Sequence, residues 1–477
     1  MTDRLPITES NRRWWTLGAM CFALFMIMLD NTVVNVALPS IQRDLDVKTS
    51  SLEWTVNAYT LAFGVLLVTG GRLGDLFGRR KLFLIGVMVF GASSAAIAVS
   101  PTLTWLAIGR AVQGAGAALM MPATLSIITN AFPPHERGRA MGTWAGISAI
   151  ALAIGPVVGG FLVENVSWQS IFLINVPVAV VAVGVTLVAA QESRDESVVP
   201  TVDLLGVATL STGLGSLVLA LIEGNHWGWG SAGILGLFAL AVAALAGFVQ
   251  VERSVKVPMV DFTFFRAKQF LGANVVAFIV SFSMLAMFFF IALYMQNVLR
   301  YSPLEAGVRF LPSTLMIMIV APIAGRLADR VGPRYLIVFG LLTVSGSLFW
   351  QSHITPTTTY DFLLGAFVLM GIGMASVMSP MTSAAMNAVE PTKAGVASGI
   401  LSMSRMIGGT FGVAALGALV AADQNPTAEA FTSRLGDGLV VAAGLAALGA
   451  LVAALTIGDR VERPVAAAQA VPVAEHG

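Results

Sequence analysis

Long apolar segments separated by short polar connectors run through nearly the whole chain. A helix of roughly 20 apolar residues crosses the 30 Å or so of hydrocarbon in a bilayer, and most of these segments approach or exceed that length. Because backbone groups in lipid need internal hydrogen-bond partners, this pattern predicts transmembrane helices rather than barrel strands. Fourteen spans are predicted, at 14–38, 54–71, 82–100, 102–123, 140–163, 168–190, 204–223, 231–250, 269–298, 304–325, 336–352, 360–386, 394–422 and 438–458.

The composition agrees with a membrane protein. Hydrophobic residues make up 56% of the 477 residues and charged residues only 11%, whereas a soluble domain carries about 25% charged residues. The charged side chains are too few to solvate a soluble surface, which excludes soluble globular and disordered classes. The net charge of +1 gives no indication of a nucleic-acid partner. The expected surroundings are the lipid bilayer, and nothing in the sequence requires an oligomer, so a monomer is expected.

Metal, cofactor and ATP chemistry have no sequence support. The single cysteine, Cys21, excludes an internal disulfide or a cysteine metal site, and the four histidines show no metal-ligand spacing. The chain contains no GxxxxGK[ST] segment, so it carries no ATP-hydrolysing motor of its own. No nucleophile–base pair or cofactor motif is visible either. We expect no metal, no cofactor and no enzymatic activity.

The basic residues of the connectors predict the orientation. With the N-terminus in the cytoplasm, cytoplasmic segments hold 20 of the Lys and Arg residues and external connectors hold 4. Cytoplasmic loops carry the excess of basic residues in membrane proteins. An even number of spans then places both termini in the cytoplasm. The predicted location is the cytoplasmic (inner) membrane, crossed many times.

The sequence repeats itself in two places. Residues 71–80 return at 325–334 with an offset of 254, and residues 130–142 return at 387–399 with an offset of 257 and 6 of 13 positions identical. Both copies of each segment lie in predicted cytoplasmic connectors, so the repeat is parallel. Parallel repeats relate two halves by an axis along the membrane normal, which is typical of secondary transporters.

The repeat offset predicts how the chain is divided. It covers eight spans, whereas two adjoining halves of six spans would give an offset of six, so two helices at about 204–250 are inserted between the halves. The predicted fold is an all-α membrane protein of two six-helix bundles plus two inserted helices. The expected parts are a cytoplasmic N-terminus 1–13, an N-terminal bundle 14–190, a linker 191–268 with the two extra helices, a C-terminal bundle 269–458 and a disordered tail 459–477.

Asp30 and Arg110 are charged residues that lie within predicted membrane-spanning helices. Asp30 lies roughly 22 Å along the first helix, and Arg110 lies at a similar depth in the fourth span. A carboxylate in hydrocarbon costs about 2.5–3.5 kcal/mol and is functional by default. Burial favours protonated Asp30, whereas a nearby Arg110 favours its ionised form, a balance that suits proton exchange. The alternatives for Asp30 are a position at the outer interface or a purely structural hydrogen bond to Asn31 or Asn35. The alternative for Arg110 is an arginine that snorkels or binds a carbonyl group.

The connector 71–81 combines glycines, an acid and a basic cluster at the end of the second span. A positive-inside anchor would explain the basic residues, but not the glycines and acid that recur 254 residues later. Alternating access needs a contact between moving bundles with two stable arrangements. We therefore predict a conformational latch made of Gly71, Asp75, Gly78, Arg79, Arg80 and Asp329.

Four segments together resemble one transporter family. Gly71–Lys81 resembles the loop signature of the major facilitator superfamily, and Leu29–Pro39 resembles the first-helix motif of its fourteen-helix drug:proton antiporters. Arg110–Gly116 and Gly155–Gly160 resemble the fourth-helix motif and the fifth-helix antiporter motif. The resemblance implies that the acid of the first helix serves proton or cation coupling. The sequence departs from the family pattern in two places: Ala153 lies near where the fifth-helix motif often has a further glycine, and the second loop copy has Pro333 where the first has Arg79.

The resemblance adds candidates in the fifth span. It implies that the kink at Gly155 and Pro156, followed by Gly159 and Gly160, shapes the cavity and limits leak. Proline removes a backbone donor and kinks a helix, although ordinary tight packing also explains the glycines.

Four polar residues are candidates for the substrate cavity. Gln113 lies one turn beyond Arg110 on the same face and could bond substrate or Arg110 itself. Arg405 lies near the midplane of span thirteen, where a structural or coupling role and substrate contact are both open. The predicted cavity residues are Asn31, Asn35, Gln113 and Arg405.

These features together predict proton-driven efflux of small amphipathic drugs or antibiotics by alternating-access antiport. The alternative is a dedicated exporter of an endogenous metabolite, a lipid or a self-made antibiotic, which would have the same fold. A receptor that has lost transport would be expected to lack the coupling acid Asp30. A channel fits the two-fold repeat less well than alternating access does.

Overall fold

The computed structural model describes residues 8–9, 11–47, 54–194, 203–255, 258, 260, 262–301, 303–420 and 427–458. Within these ranges the chain is helical and contains no β-strand. The predicted tail at 459–477 lies outside the described residues, as do most residues of the predicted N-terminal segment. The long helices are α1 Arg12–Leu45, α2 Trp54–Phe77, α3 Arg79–Ala98, α4 Leu103–Ala131, α5 Pro134–Asn165, α6 Asn175–Ala189, α7 Leu204–Trp227, α8 Ala232–Ser254, α9 Lys268–Asn297, α10 Leu311–Val331, α11 Pro333–Gln351, α12 Tyr360–Asn387, α13 Ala394–Val420 and α14 Ala428–Thr456.

Most of these helices are suited to a bilayer. Thirteen helical stretches in the described part of the chain are long and apolar enough to cross a membrane. The helix α5 is not one of them, but its 32 residues span about 48 Å at 1.5 Å per residue, which exceeds the hydrocarbon thickness. The helical architecture agrees with the predicted fold of two six-helix bundles and two inserted helices.

Several helix ends differ from the predicted spans. The helix α5 begins at Pro134 rather than at 140, and α14 begins at Ala428 rather than at 438. Hydropathy detects only the apolar part of a helix, whereas the hydrogen-bonded ladder continues into the polar residues at either end. Two predicted spans are each interrupted once, since Ser170–Leu173 precedes α6 and Pro303–Arg309 precedes α10.

The two halves repeat the same helix packing. In the first half α1 packs on α5 and α6, α4 packs on α2 and α3, and α3 packs on α6. In the second half the equivalent helices make the same five pairs: α9 packs on α13 and α14, α12 packs on α10 and α11, and α11 packs on α14. The parallel repeat read from the sequence is therefore a repeat of packing as well as of motifs.

The halves join through two equivalent helix pairs, α2 with α13 and α5 with α10. Glycines allow each close approach. A Cβ on Gly71 would collide with the carbonyl oxygen of Gly395, and a Cβ on Gly325 would collide with that of Gly138. Small residues permit this proximity of helix backbones within membranes. The four glycines lie at the end of the bundle that carries the α2–α3 connector, so the halves are closed against each other there.

Single glycines separate α2 from α3 and α10 from α11. Gly78 has φ +109° and Gly332 has φ +91°, values that a residue with a Cβ rarely adopts. Each glycine breaks the helix and lets the next one start immediately. Both positions belong to the repeated loop segment, so the same turn is built twice.

The two inserted helices lie outside this symmetric arrangement. The helix α7 contacts α8 and also α2 and α13 of the two halves. Only 17% of the most apolar stretch of α8 is buried. The helix α8 therefore presents most of its apolar surface outward, as expected for a helix that faces lipid.

We predict that Gly71→Ala lowers the melting temperature of the purified protein in detergent. The added methyl group meets the backbone of Gly395 rather than a flexible side chain, and such overpacking costs about 1–3 kcal/mol. Gly346→Ala is the matched control, since a Cβ on Gly346 meets nothing within 4 Å, and alanine favours a helix by up to about 1 kcal/mol. Equal melting temperatures for Gly71→Ala and Gly346→Ala would contradict the close packing of α2 and α13.

Candidate functional site

Asp30 lies at the centre of a buried polar cluster in the first half. Its side chain has no exposed surface, and both carboxylate oxygens accept hydrogen bonds. Arg110 Nη1 donates to Asp30 Oδ2 at 2.5 Å. Gln113 Nε2 and Asn175 Nδ2 donate to Asp30 Oδ1 at 2.9 and 3.1 Å. A carboxylate in an apolar interior is tolerated when it is paired and hydrogen-bonded in this way.

Arg110 is equally well enclosed. Its side chain is 1% exposed, and besides Asp30 it donates to the Thr55 carbonyl oxygen at 2.8 Å and to Gln113 Oε1 at 2.6 Å. The guanidinium carbon lies 4.3 Å from the centre of the Tyr59 ring, which adds a cation–π attraction. The arginine and the carboxylate neutralise each other, so the cluster carries no net charge while Asp30 is ionised.

Ser94 completes the cluster from α3. Its hydroxyl oxygen accepts hydrogen bonds from Gln113 Nε2 at 2.8 Å and from Asn175 Nδ2 at 3.3 Å. The cluster thus ties together α1, α2, α3, α4 and α6, five of the six helices in the first half. Sequence reasoning missed Thr55, Tyr59, Ser94 and Asn175, although Asn175 stands out as an amide within an apolar span.

The four candidate cavity residues fall in different surroundings. Asn31 is partly buried and donates to the Ile27 carbonyl oxygen of its own helix at 3.0 Å. Gln113 has no exposed surface and belongs to the Asp30 cluster. Arg405 lies on α13 and donates to Thr382 Oγ1 at 3.1 Å. The side chain of Asn35 lies outside the described part of the chain.

The predicted latch residues form a polar contact between the halves. Asp75 and Arg79 are 0% and 1% exposed, and Arg79 Nε and Nη2 donate to Asp75 Oδ1 at 2.8 and 2.6 Å. Asp75 also accepts hydrogen bonds from the backbone amides of Gly395 and Val396, each at 2.9 Å. These amides lie at the start of α13, where free N–H groups and the helix dipole favour an anion.

Arg79 reinforces the same contact. Its Nη2 also donates to the Thr392 carbonyl oxygen, at 2.7 Å, just before α13 begins. Asp75 and Arg79 therefore hold the end of α2 against the start of α13. Arg80 lies apart from this contact, since its Nη2 donates to the Leu187 carbonyl oxygen at 2.5 Å.

Gly78 and Arg80 belong to the junction within the first half. The carboxylate of Glu192 accepts hydrogen bonds from the backbone amides of Arg80 and Lys81 at 3.0 and 3.1 Å. Glu192 thus caps α3 immediately after the Gly78 turn. Sequence reasoning did not single out Glu192, because its partners are more than 100 residues away.

Asp329 makes the equivalent contact in the second half. The backbone of Gly138 and Arg139, in the second turn of α5, faces its carboxylate, and a Cβ on Gly138 would collide with Asp329 Oδ1. Ser379 Oγ adds a hydrogen bond to the Gly138 carbonyl oxygen at 3.1 Å. The position that corresponds to Arg79 is Pro333, so this copy lacks the arginine that pairs with the acid in the first copy.

The glycines of α5 pack against α1 of the same half. A Cβ on Gly155 would meet the Thr32 side chain, and a Cβ on Gly159 would lie 3.1 Å from the Val33 Cα atom. A Cβ on Gly160 would have nothing within 4 Å, so close packing does not explain that glycine. The side chain of Pro156 lies outside the described residues.

Metal chemistry finds no support in the described part of the chain. It contains no group of three or more histidine, cysteine, aspartate or glutamate side chains that could hold a metal ion. The charged groups described above instead form ion pairs and hydrogen bonds to backbone groups.

Comparison with known proteins gives the same family throughout. The family model described as Major Facilitator Superfamily matches residues 20–413. The chain is 37% identical over 410 residues to the tetracenomycin C resistance and export protein of Streptomyces glaucescens, which covers 86% of this chain and 76% of that protein. It is also 37% identical over 420 residues to the multidrug resistance protein Stp of Mycobacterium tuberculosis, covering 88% and 78%.

Two further similarities extend this picture. The cephamycin export protein CmcT of Amycolatopsis lactamdurans is 34% identical over 442 residues, covering 91% of this chain and 90% of that protein. The crystal structure of the human organic anion transporter MFSD10 superposes with a TM-score of 0.65 at 14% identity, covering 92% and 99% of the two chains. The latter likeness shows the fold alone. The family consists of membrane transporters and not of enzymes, and this chain belongs to the major facilitator superfamily.

Proposed function

We propose that this chain exports small amphipathic drugs or antibiotics from the cytoplasm in exchange for protons. It acts as a monomer in the inner membrane, with both termini in the cytoplasm. The distribution of 20 basic residues in one set of connectors against 4 in the other supports this orientation. The names of several relatives support the substrate class, since they are resistance or export proteins for tetracenomycin C, puromycin and cephamycin.

The buried pair of Asp30 and Arg110 carries the proposal of proton coupling. Asp30 is the acceptor of all the polar contacts that converge on it. A proton on Asp30 removes the negative charge, whereas Arg110 keeps its positive charge at any relevant pH. Protonation therefore leaves Arg110 buried without its counter-ion and changes the stability of the whole helix cluster.

The cost of breaking the buried pair of Asp30 and Arg110 and the energy available from one proton are of similar size. Breaking one side of a buried ion pair costs about 3–5 kcal/mol. One elementary charge moved across the membrane yields about 2.3 kcal/mol per 100 mV, and a pH gradient adds to this. A single proton can thus supply a large part of the energy needed to rearrange the cluster, which makes Asp30 a suitable coupling site.

The latch residues determine which side is open. Asp75 and Arg79 bind the start of α13, and Asp329 binds the start of α5. With these contacts made, the cytoplasmic entrance between the halves is closed. Loading of substrate from the cytoplasm requires both contacts to break, so they act as a latch with two arrangements.

The predicted bundles, the linker and the predicted cavity residues each have a role in the proposed export. The N-terminal bundle 14–190 carries the coupling cluster, the C-terminal bundle 269–458 carries Arg405, and the linker 191–268 carries the inserted helices. Asn31, Asn35 and Arg405 contribute to the substrate cavity. Gln113 supports Asp30 rather than the substrate, because its amide is fully used by Asp30, Arg110 and Ser94.

A dedicated exporter of one endogenous compound or self-made antibiotic is the second candidate. It is favoured by relatives whose names specify a single compound, such as tetracenomycin C and cephamycin. The relative named as a multidrug resistance protein favours the broad alternative. Competition between structurally unrelated dyes and antibiotics in vesicles separates the two.

We predict that Asp30→Asn abolishes proton-driven uptake of an amphipathic dye into inside-out vesicles. Asparagine keeps a polar group of the same size but can no longer bind and release a proton. Uptake by the wild type should collapse with an uncoupler, and uptake by Asp30→Asn should equal that uncoupled background. Asp30→Glu retains a carboxylate and should keep part of the coupled uptake.

Melting temperatures in detergent provide the folding control for these variants, since Asp30→Asn also leaves Arg110 unpaired. Full uncoupler-sensitive uptake by a folded Asp30→Asn protein would refute the coupling role. A wild type that is folded but transports none of a broad set of dyes would favour the dedicated exporter.

We predict that Asp75→Asn opens the cytoplasmic junction more often. It removes the counter-ion of Arg79 and weakens the cap on α13, and loss of a buried pair costs up to about 3–5 kcal/mol. A cysteine placed at Ser398, which is buried at this junction, should react faster with maleimide in Asp75→Asn than in the wild-type background, with Cys21 replaced by serine in both.

Glu390→Gln is the control for the labelling experiment. It removes a charge from the connector just before α13, but its pair with Lys393 is long, at 4.0 Å, and exposed. Such surface pairs contribute about 0–1 kcal/mol, so labelling of Ser398→Cys should stay near the wild-type rate. Equal labelling rates in Asp75→Asn and Glu390→Gln would exclude a latch at Asp75.

A further inference from the structure

Arg405 lies in the middle of the molecule where the two halves meet. It is the twelfth residue of α13 in the second half, and its guanidinium carbon lies 5.6 Å from the ring centre of Trp144, the eleventh residue of α5 in the first half. The two helices start at the same end of the bundle, so both residues lie roughly 16 Å from that end. This depth is close to the middle of the membrane.

The charge of Arg405 has no counter-ion among the described residues. The buried arginines Arg79 and Arg110 pair with aspartates, Asp75 and Asp30, and the buried Arg137 has three neutral acceptors, two carbonyl oxygens and Asn387 Oδ1. Arg405 instead donates to the neutral hydroxyl of Thr382, and its buried Nε has no hydrogen-bond partner. A guanidinium has five N–H donors and is not deprotonated in proteins, so most of its bonding capacity is unused.

The surroundings of Arg405 combine donors with an aromatic wall. Ser402, one turn earlier on the same face of α13, is buried, and its hydroxyl has no partner among the described residues. Trp144 and Thr382 are each 2% exposed, whereas Arg405 is partly exposed. Arg405 thus lies beside a buried aromatic ring of the opposite half, where an unpaired hydroxyl and an unpaired Nε are also close to the contact between the halves.

We propose that Arg405 and Trp144 bind the anionic group and the ring of aromatic carboxylates or related aromatic anions, and that such anions are substrates of the transporter. The guanidinium fork matches a carboxylate geometrically, and the indole supplies a flat apolar surface for an aromatic ring. The buried carboxylate of Asp30 is already paired with Arg110, so it offers no free charge to a cationic substrate. This inference rests on the proposed export function and adds the charge of its substrates.

Two xanthene dyes of opposite charge test this inference. Fluorescein is an aromatic carboxylate anion, and rhodamine 123 has the same ring system with a positive charge. Binding of each dye to the purified full-length protein is measured by fluorescence anisotropy without any gradient, in chloride and in gluconate buffer. Proton-driven uptake into inside-out vesicles is measured in parallel.

The wild type should bind fluorescein, and Arg405→Gln should weaken that binding by about tenfold or more, as loss of a charged hydrogen bond does. Arg405→Lys keeps the charge without the fork and should lie in between. Arg43→Gln removes an exposed arginine and should bind fluorescein like the wild type. Rhodamine 123 should bind equally to all four proteins or more tightly to Arg405→Gln.

Several outcomes would overturn the inference. Unchanged fluorescein affinity in a folded Arg405→Gln protein excludes Arg405 as the anion site, and equal loss of both dyes indicates a structural role instead. Displacement of fluorescein by chloride at the concentration of the buffer assigns the site to inorganic anions. Arg405-dependent binding of fluorescein without uptake of either dye would retain the anion site and reject the proposed export. Uncoupler-sensitive uptake of rhodamine 123 without binding of fluorescein would retain the proposed export and reject the anion site.

Discussion

The absence of water from the hydrocarbon core is the constraint on which the rest of this structure depends. Every backbone group must find a partner within its own segment, which makes each span a helix. Every buried charge must find its partner within the protein. Asp30 meets that requirement with Arg110, Gln113 and Asn175, and Asp75 meets it with Arg79 and two backbone amides of α13. The contacts of Asp30 hold the helices of the first half together, and the contacts of Asp75 hold the two halves to each other.

The α2–α13 and α5–α10 junctions between the halves have similar parts, but they differ in their charged contacts. An acid at the end of α2 caps the first turn of α13, an acid at the end of α10 faces the second turn of α5, and paired glycines bring the backbones together at both places. Only the first junction has an arginine between the acid and the opposite half, since Pro333 replaces it in the second. The second junction instead has Arg137, which donates to Asn387 Oδ1 of the opposite half at 2.7 Å. The two junctions therefore share glycine packing and an acid but differ in how an arginine joins the halves.

Most of the fold could be predicted from the sequence because hydropathy, basic residues and repeats each report on a separate physical requirement. The span count came from hydropathy, the inserted helices from the repeat offset, and the similar depths of Asp30 and Arg110 from distances along a helix. The partners of Asp30 were harder to predict, because Ser94 and Asn175 come near it only through packing across 64 and 145 residues of sequence. Neither residue type is unusual in a membrane helix. Glu192 and Thr392 were not predicted either, since Glu192 binds backbone amides and Thr392 contributes only its own backbone carbonyl oxygen, and backbone groups carry no sequence signature.

The halves differ most in where they place charge. At the repeat offset of 257, Arg110 and Gln113 correspond to Phe367 and Met370, whereas Arg405 corresponds to Ser148. At these corresponding positions the first half therefore holds a neutral ion pair, and the second half holds the positive charge of Arg405. A proton on Asp30 and an anion at Arg405 would attract rather than repel each other, so direct competition for one charge cannot exchange them. In the proposed cycle, exchange would instead depend on the relative position of the halves, since Asp30 and Arg405 lie on opposite halves. Coupling of that kind would require junctions that can close, and the hydrogen bonds of Asp75 to the start of α13 close one of them.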